Sequence, residues 1–225
     1  MLRALARSMR RMRMTVHKPF GRGLAADLLR VSLCDRNPDV ARALAVAFRD
    51  VGGVEVLEGD LLALDCDALV SPANSFGYMD GGVEKQIDAF YRGDAQPAVL
   101  ARIANHHYGE LPVGSAAILE MATRRFPFLV VAPTMRVPGR VDGTINAYLA
   151  MRAAFAAVLD HNRSGARRIG SVAVPGLGTG IGGMAADESA VQLRAAHDMI
   201  LGGGWMSVLH PAQAPFVMSG GKGSS

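Results

Sequence analysis

From residue 29 onward, apolar positions recur with two periods that take turns along the chain. "LRVSLCD" (29–35) is a short apolar run of strand type, and "RNPDVARALAVAF" (36–48) switches to helical spacing. Asn37 stands where an N-cap is needed, with Pro38 at the first helical position. "VEVLEGD" (54–60) and "DALVS" (67–71) read as strands, residues 82–92 and 97–107 as helices. In the second of these helices Val99, Leu100, Ile103 and Ala104 supply the apolar face. "SAAILEM" (115–121) and "FPFLVVAP" (126–133) are strands again, followed by a helix over 146–159, a strand over "RIGSVAVP" (168–175) and a helix over 184–201. Strands and helices alternating in this way predict an α/β fold: a three-layer α/β/α sandwich around a mixed, largely parallel sheet. Ligands of such sheets bind outside the carboxyl ends of the strands.

Charge changes this picture only at the start of the chain. The formal net charge is +4, yet residues 1–30 hold eight Arg or Lys against Asp27 alone. The remainder carries −3, so the body of the protein is no basic platform for nucleic acid. Residues 1–28 are expected to form a basic, disordered arm, with a weak nucleic-acid contact as its only candidate role in that direction. A helical stripe of Leu2, Leu5, Met9 and Met12 beside arginines keeps a transit peptide or an anionic surface in view. The domain is expected to span 29–201, followed by a Gly/Ser-rich tail over 202–225. No apolar run approaches the roughly 18 residues of a membrane span, so no membrane association is expected. Cys34 and Cys66 lack metal-ligand spacing and suit small core residues of a reduced, cytoplasmic protein. The six histidines form no metal-binding pattern, and no metal or cofactor is implied.

Candidate chemistry sits in two loops. The first, within "DALVSPANSFGYMDGGVEKQI" (67–87), uses about ten residues to join a strand to its helix, where about 2–6 would suffice. The second, "VAVPGLGTGIGG" (172–183), contains a formal G-x-G-x-x-G between a strand and a helix. A dinucleotide fold would place an acidic residue about 20 positions later, at the end of a second strand. Here that position falls in Gly202-Gly203-Gly204, which argues against the NAD reading. What remains is a backbone suited to anions, since glycines let N–H groups converge and the next helix adds its positive end.

Together, "GDL" (59–61), "PAN" (72–74), "GGVE" (81–84) and "GTGIGG" (178–183) resemble the macro domain, an ADP-ribose-binding α/β/α module, over about residues 54–200. The resemblance implies a crevice between two Gly-rich loops that binds ADP-ribose or a related nucleotide diphosphate, free or on an ADP-ribosylated protein. It gives Asp60 the adenine amino group, with Leu61 N–H on the ring. It gives Asn74 the distal ribose, and Gly81, Gly82 and Val83 the ribose and phosphates. The N–H groups of Gly178, Thr179, Gly180 and Ile181 would wrap the diphosphate, and Gly180 is expected to need a φ that other residues avoid. Glu84 matches the acidic position that some hydrolytic members use, so a mono-ADP-ribosyl hydrolase is left open, with Asp80 as the alternative carboxylate. If both face the cleft, their repulsion is expected to raise one pKa.

The chain departs from the family pattern in several places. Ser71-Pro72 stands for Asn-Ala and Met79-Asp80 for glycines, and a strand and helix precede residue 54. No final strand carries an aromatic to stack on adenine, which leaves Trp205 or Phe216 as substitutes. The alternative function is a macro-like structural or interaction module with a degenerate pocket, of phage derivation. Phe76 and Tyr78 could stack on a base or pin their loop to the core. Arg136 and Arg140 could meet phosphate or only solvent.

Overall fold

The computed structural model describes residues 29–164 and 167–216; the basic arm and residues 217–225 lie outside the described residues. Among the described residues, six strands form one sheet and five α-helices cover it. The strands are β1 (Arg30–Asp35), β2 (Val54–Glu58), β3 (Ala68–Ser71), β4 (Ala117–Glu120), β5 (Phe128–Val131) and β6 (Ser171–Val174). The helices are α1 (Pro38–Phe48), α2 (Gly82–Phe90), α3 (Ala95–His107), α4 (Asn146–Arg163) and α5 (Ala186–Ile200). Strand order is β2-β1-β6-β3-β5-β4, with every pairing parallel except that of β4 with β5.

The two cores follow from the pleat, which sends successive side chains to opposite faces. Val31, Leu33, Ala68, Val70, Phe128, Val130, Val172 and Val174 face one way, against α1, α4 and α5. Their neighbours Cys34, Leu69, Leu129, Val131 and Ala173 face the other, against α2 and α3. A sheet buried on both faces has near-continuous apolar strands, as β3, β5 and β6 do. The three-layer α/β/α sandwich expected from the alternation of periods is the fold found.

Local signals fix where α1 begins. Asn37 adopts an extended conformation and its side chain accepts the Asp39 N–H, with Pro38 in the first turn. The parallel strands β1, β6, β3 and β5 end on the same edge of the sheet, and the segments that leave them build the crevice described next. No helix of the described residues is long and apolar enough to cross a membrane.

Candidate functional site

A cavity of about 300 Å³ opens at that edge. Its walls are the β1–α1 turn, the 59–62 segment, the β3–α2 loop, the loop after β5 and the β6–α5 loop. All of the residues assigned by resemblance line it: Asp60 and Leu61 from one segment, Asn74, Asp80, Gly81, Gly82, Val83 and Glu84 from a second, and Gly178, Thr179, Gly180 and Ile181 from a third.

The β6–α5 loop is shaped around its backbone. Gly176 N–H donates to Asp35 Oδ2 at 3.1 Å, and a Cβ there would lie 2.5 Å from Val40 Cγ1. Gly178 has φ +81°, a left-handed conformation that favours glycine. The Thr179 hydroxyl donates back to Gly176 O, Met184 N–H to Gly178 O and Gly183 N–H to Gly180 O. By contrast, the N–H groups of Gly178, Thr179, Gly180 and Ile181 donate to no acceptor among the described residues. Backbone N–H groups without partners in a concavity are a geometry that suits an anion. Gly180 differs from the expectation for it. Its φ is not positive, and a Cβ would meet nothing within 4 Å, so its freedom serves the cavity rather than the turn.

The β3–α2 loop is tethered from behind. Ser75 N–H donates to Met135 O at 3.0 Å, Leu111 N–H to Ser75 O at 2.8 Å, and Gly77 sits so close to Val99 that a Cβ would lie 2.7 Å from its Cγ1. The Asn74 amide serves this loop. Its Oδ1 accepts Phe76 N–H at 3.0 Å and its Nδ2 donates to Tyr78 O at 2.8 Å. One Nδ2 hydrogen and one Oδ1 lone pair remain. Phe76 lies under the Arg136 guanidinium, which forks onto Glu110, so the aromatic pins the loop and the arginine pins the aromatic. Arg140 pairs with Asp142. Neither arginine lines the cavity; Tyr78 does, at its exposed rim.

Glu84 enters from the first turn of α2 and is buried. Ser71 Oγ lies 2.8 Å and 3.0 Å from its two carboxylate oxygens. Burial pushes the carboxyl up to about 7, against the pull of the Ser71 hydrogen bond. Desolvation, and not repulsion from Asp80, is therefore what raises it. Its proton is held well above the pH at which an ordinary glutamate loses it. The Ser71 that replaces the family's asparagine thus has a role, as the one hydroxyl beside a carboxyl with no cation near it.

At the other end, the Asp60 side chain caps the short turn Leu61–Ala63 by accepting Leu62 N–H at 3.0 Å. That hydrogen bond, and behind it an ion pair with Arg36, hold the carboxyl below its usual range. The residues missed from sequence lie here: Cys34, Asp35, Arg36 and Asn37, with Thr134, Met135 and Pro138 beyond. The available signal is that Asp35 ends an apolar strand next to an N-cap; the strand and helix before residue 54 lie outside the family pattern, which gives these residues no role. Burial and the neighbouring Asp35 push the Cys34 thiol up to about 11, so it is an inert wall residue. The two substitutes for the adenine-stacking aromatic stand elsewhere: Phe216 packs on Tyr148 at 5.2 Å, and Trp205 lies in a short turn after α5.

Comparison with known proteins places this geometry. An uncharacterized protein of Aquifex aeolicus (strain VF5) is 31% identical over 137 residues, covering 61% of this chain and 76% of the relative. The macrodomain of Mycobacterium tuberculosis DarG superposes with a TM-score of 0.53 at 24% identity, covering 63% of this chain and 88% of that one. Thermosipho africanus DarTG in complex with ADP-ribose superposes with a TM-score of 0.50 at 17% identity, covering 74% and 50%. At such identities the two structures speak to the fold alone. The Macro domain family model matches residues 70–193, more than half of the chain, from the third strand through the two loops and into the last helix, and the chain belongs to the macro domain family.

Proposed function

We propose that the crevice binds ADP-ribose. The observation that carries this reading is the row of unpartnered N–H groups from Gly178 to Ile181 at a cavity wall. The family binds this ligand, and the Thermosipho africanus protein was solved with it. The N–H row takes the diphosphate, assisted by the amino end of α2 beneath Gly81, Gly82 and Val83. The remaining Asn74 hydrogen and lone pair serve the distal ribose. Asp60 keeps a lone pair on each oxygen beside its two partners and accepts the base amino group, with Leu61 against the ring. The partner is ADP-ribose itself or ADP-ribose carried on a protein, in a cytoplasmic setting consistent with two buried free cysteines. Calorimetric titration and thermal shift with ADP-ribose test the reading. Absence of both heat and a Tm shift at millimolar ligand would leave a macro-like interaction module with a degenerate pocket.

Hydrolysis is a finer proposal. Cleaving an ADP-ribosyl ester breaks the bond between the ribose and the ester oxygen, puts the hydroxyl of water on the ribose and leaves the acid as the other product. Water must therefore lose one proton, which ends on the departing carboxylate or in solvent. A Glu84 carboxyl whose pKa burial raises to about 7 can give a proton to a leaving carboxylate or take one from water. Its burial and its single hydroxyl partner limit its reach, so turnover on mono-ADP-ribosylated acidic side chains is slow or absent. Release of ADP-ribose by wild type, Glu84→Gln and Asp80→Asn decides the matter. Activity undiminished in Glu84→Gln transfers the role to Asp80 or ends it.

A further inference from the structure

The base-bearing end of the crevice lacks the feature that usually holds a nucleobase. Among the described cavity-lining residues the one aromatic is Tyr78, on the loop after β3, two strands away from the β1–α1 turn. The one cation is Arg36, within that turn and 58% exposed. Its Nη2 donates to Asp60 Oδ2 at 2.8 Å, and Asp60 is itself fixed by Leu62 N–H. A guanidinium anchored through its edge keeps its flat face available.

We propose that Arg36 is the stacking platform for the purine, its guanidinium face packing on the base in place of an aromatic ring. This rests on the ADP-ribose reading and adds to it the residue that packs on the base. Phosphate is a poor occupant of the same spot. Asp60 already compensates the arginine charge, and Asp35, the residue before Arg36, lines the same cavity. An anion there would meet the Asp60 carboxylate, whereas the π-face of a neutral base is attracted by the cation without that repulsion. Asp60 then has two tasks at once, holding the platform and accepting the base amino group.

The test is calorimetric titration of ADP-ribose into the full chain as wild type, Arg36→Ala and Arg36→Lys, at low and high salt. Arg36 is exposed, and both variants should keep the wild-type Tm. Arg36→Ala should lose about tenfold in affinity and Arg36→Lys should fall between it and wild type, because lysine keeps the charge over the ring but not the plane, and the salt dependence should stay that of wild type. A weakened salt dependence in Arg36→Ala would show the arginine on phosphate and overturn the proposal. Arg36→Ala binding as tightly as wild type would overturn it too, while leaving the functional reading intact. Wild type that shows no binding removes the functional reading, and this inference with it.

Discussion

Replacing Glu84 with glutamine isolates what an uncompensated buried carboxyl does to this fold. The group titrates near 4.5 when unfolded and at about 7 when folded, because burial disfavours its charge and only Ser71 Oγ opposes that effect. A folded-state pKa above the unfolded one means that the native protein binds the extra proton between those two values. Stability from this group is therefore complete below about pH 4.5, falls as pH rises toward 7, and levels off above that. At 1.36 kcal/mol for each pKa unit, the total loss is roughly 3 kcal/mol. Glutamine has no such titration. Urea unfolding of wild type and Glu84→Gln at intervals from about pH 5 to 9, with the m-value checked for constancy, measures the difference. The variant should gain on wild type by roughly 3 kcal/mol across that range, whatever its offset at the acid end. A difference that stays flat with pH would mean that Glu84 is solvated or paired in solution, and the case for its sharing a proton near pH 7 would fall with it.

Three further outcomes follow from the loops. Gly180→Val should abolish or greatly weaken ADP-ribose binding with Tm unchanged, since its Cβ meets no protein atom within 4 Å and adds bulk at a residue that lines the cavity; full binding by this variant in calorimetry would move the anion elsewhere. Gly176→Val should instead destabilise the fold, by about 1–3 kcal/mol or more in chemical denaturation, because its Cβ would lie 2.5 Å from Val40 Cγ1 and 2.8 Å from Asp35 Oδ2. Arg136→Ala should leave affinity for ADP-ribose within about twofold of wild type, as its guanidinium is spent on Glu110 and Phe76 outside the cavity; a tenfold loss would show that the tether, or the arginine itself, reaches the ligand.

The layers of the fold were legible because each element announces itself locally. β3, β5 and β6 are continuous apolar runs, and α1 carries both its cap and its proline. Most of the two loops was legible as well, since glycines, a proline and polar residues between a strand and a helix have few other uses. What stayed hidden depends on neighbours far apart in sequence. Nothing near Ser71 reveals that its hydroxyl meets Glu84, nor that Asn74 spends its amide on Phe76 and Tyr78. The conformation at Gly180 was misjudged because a glycine kept for cavity space and one kept for a turn look the same in a sequence. Arg36 escaped notice because its relevance appears only once β1 is seen to lie beside β6.

That adjacency bears on how the protein can be divided. The family match begins at residue 70, which invites a shortened version starting near there. Yet β1 pairs with β6 through Arg30↔Ser171 to Leu33↔Val174 and carries β2 on its other side. A chain cut before β3 would turn β6, a central strand buried along its whole length, into an edge with a row of unpaired backbone donors and acceptors. Such an edge is a template for strands from other molecules. The truncated protein would be expected to self-associate, so the first 40 or so residues of the domain act as its guard against aggregation as well as one wall of its pocket.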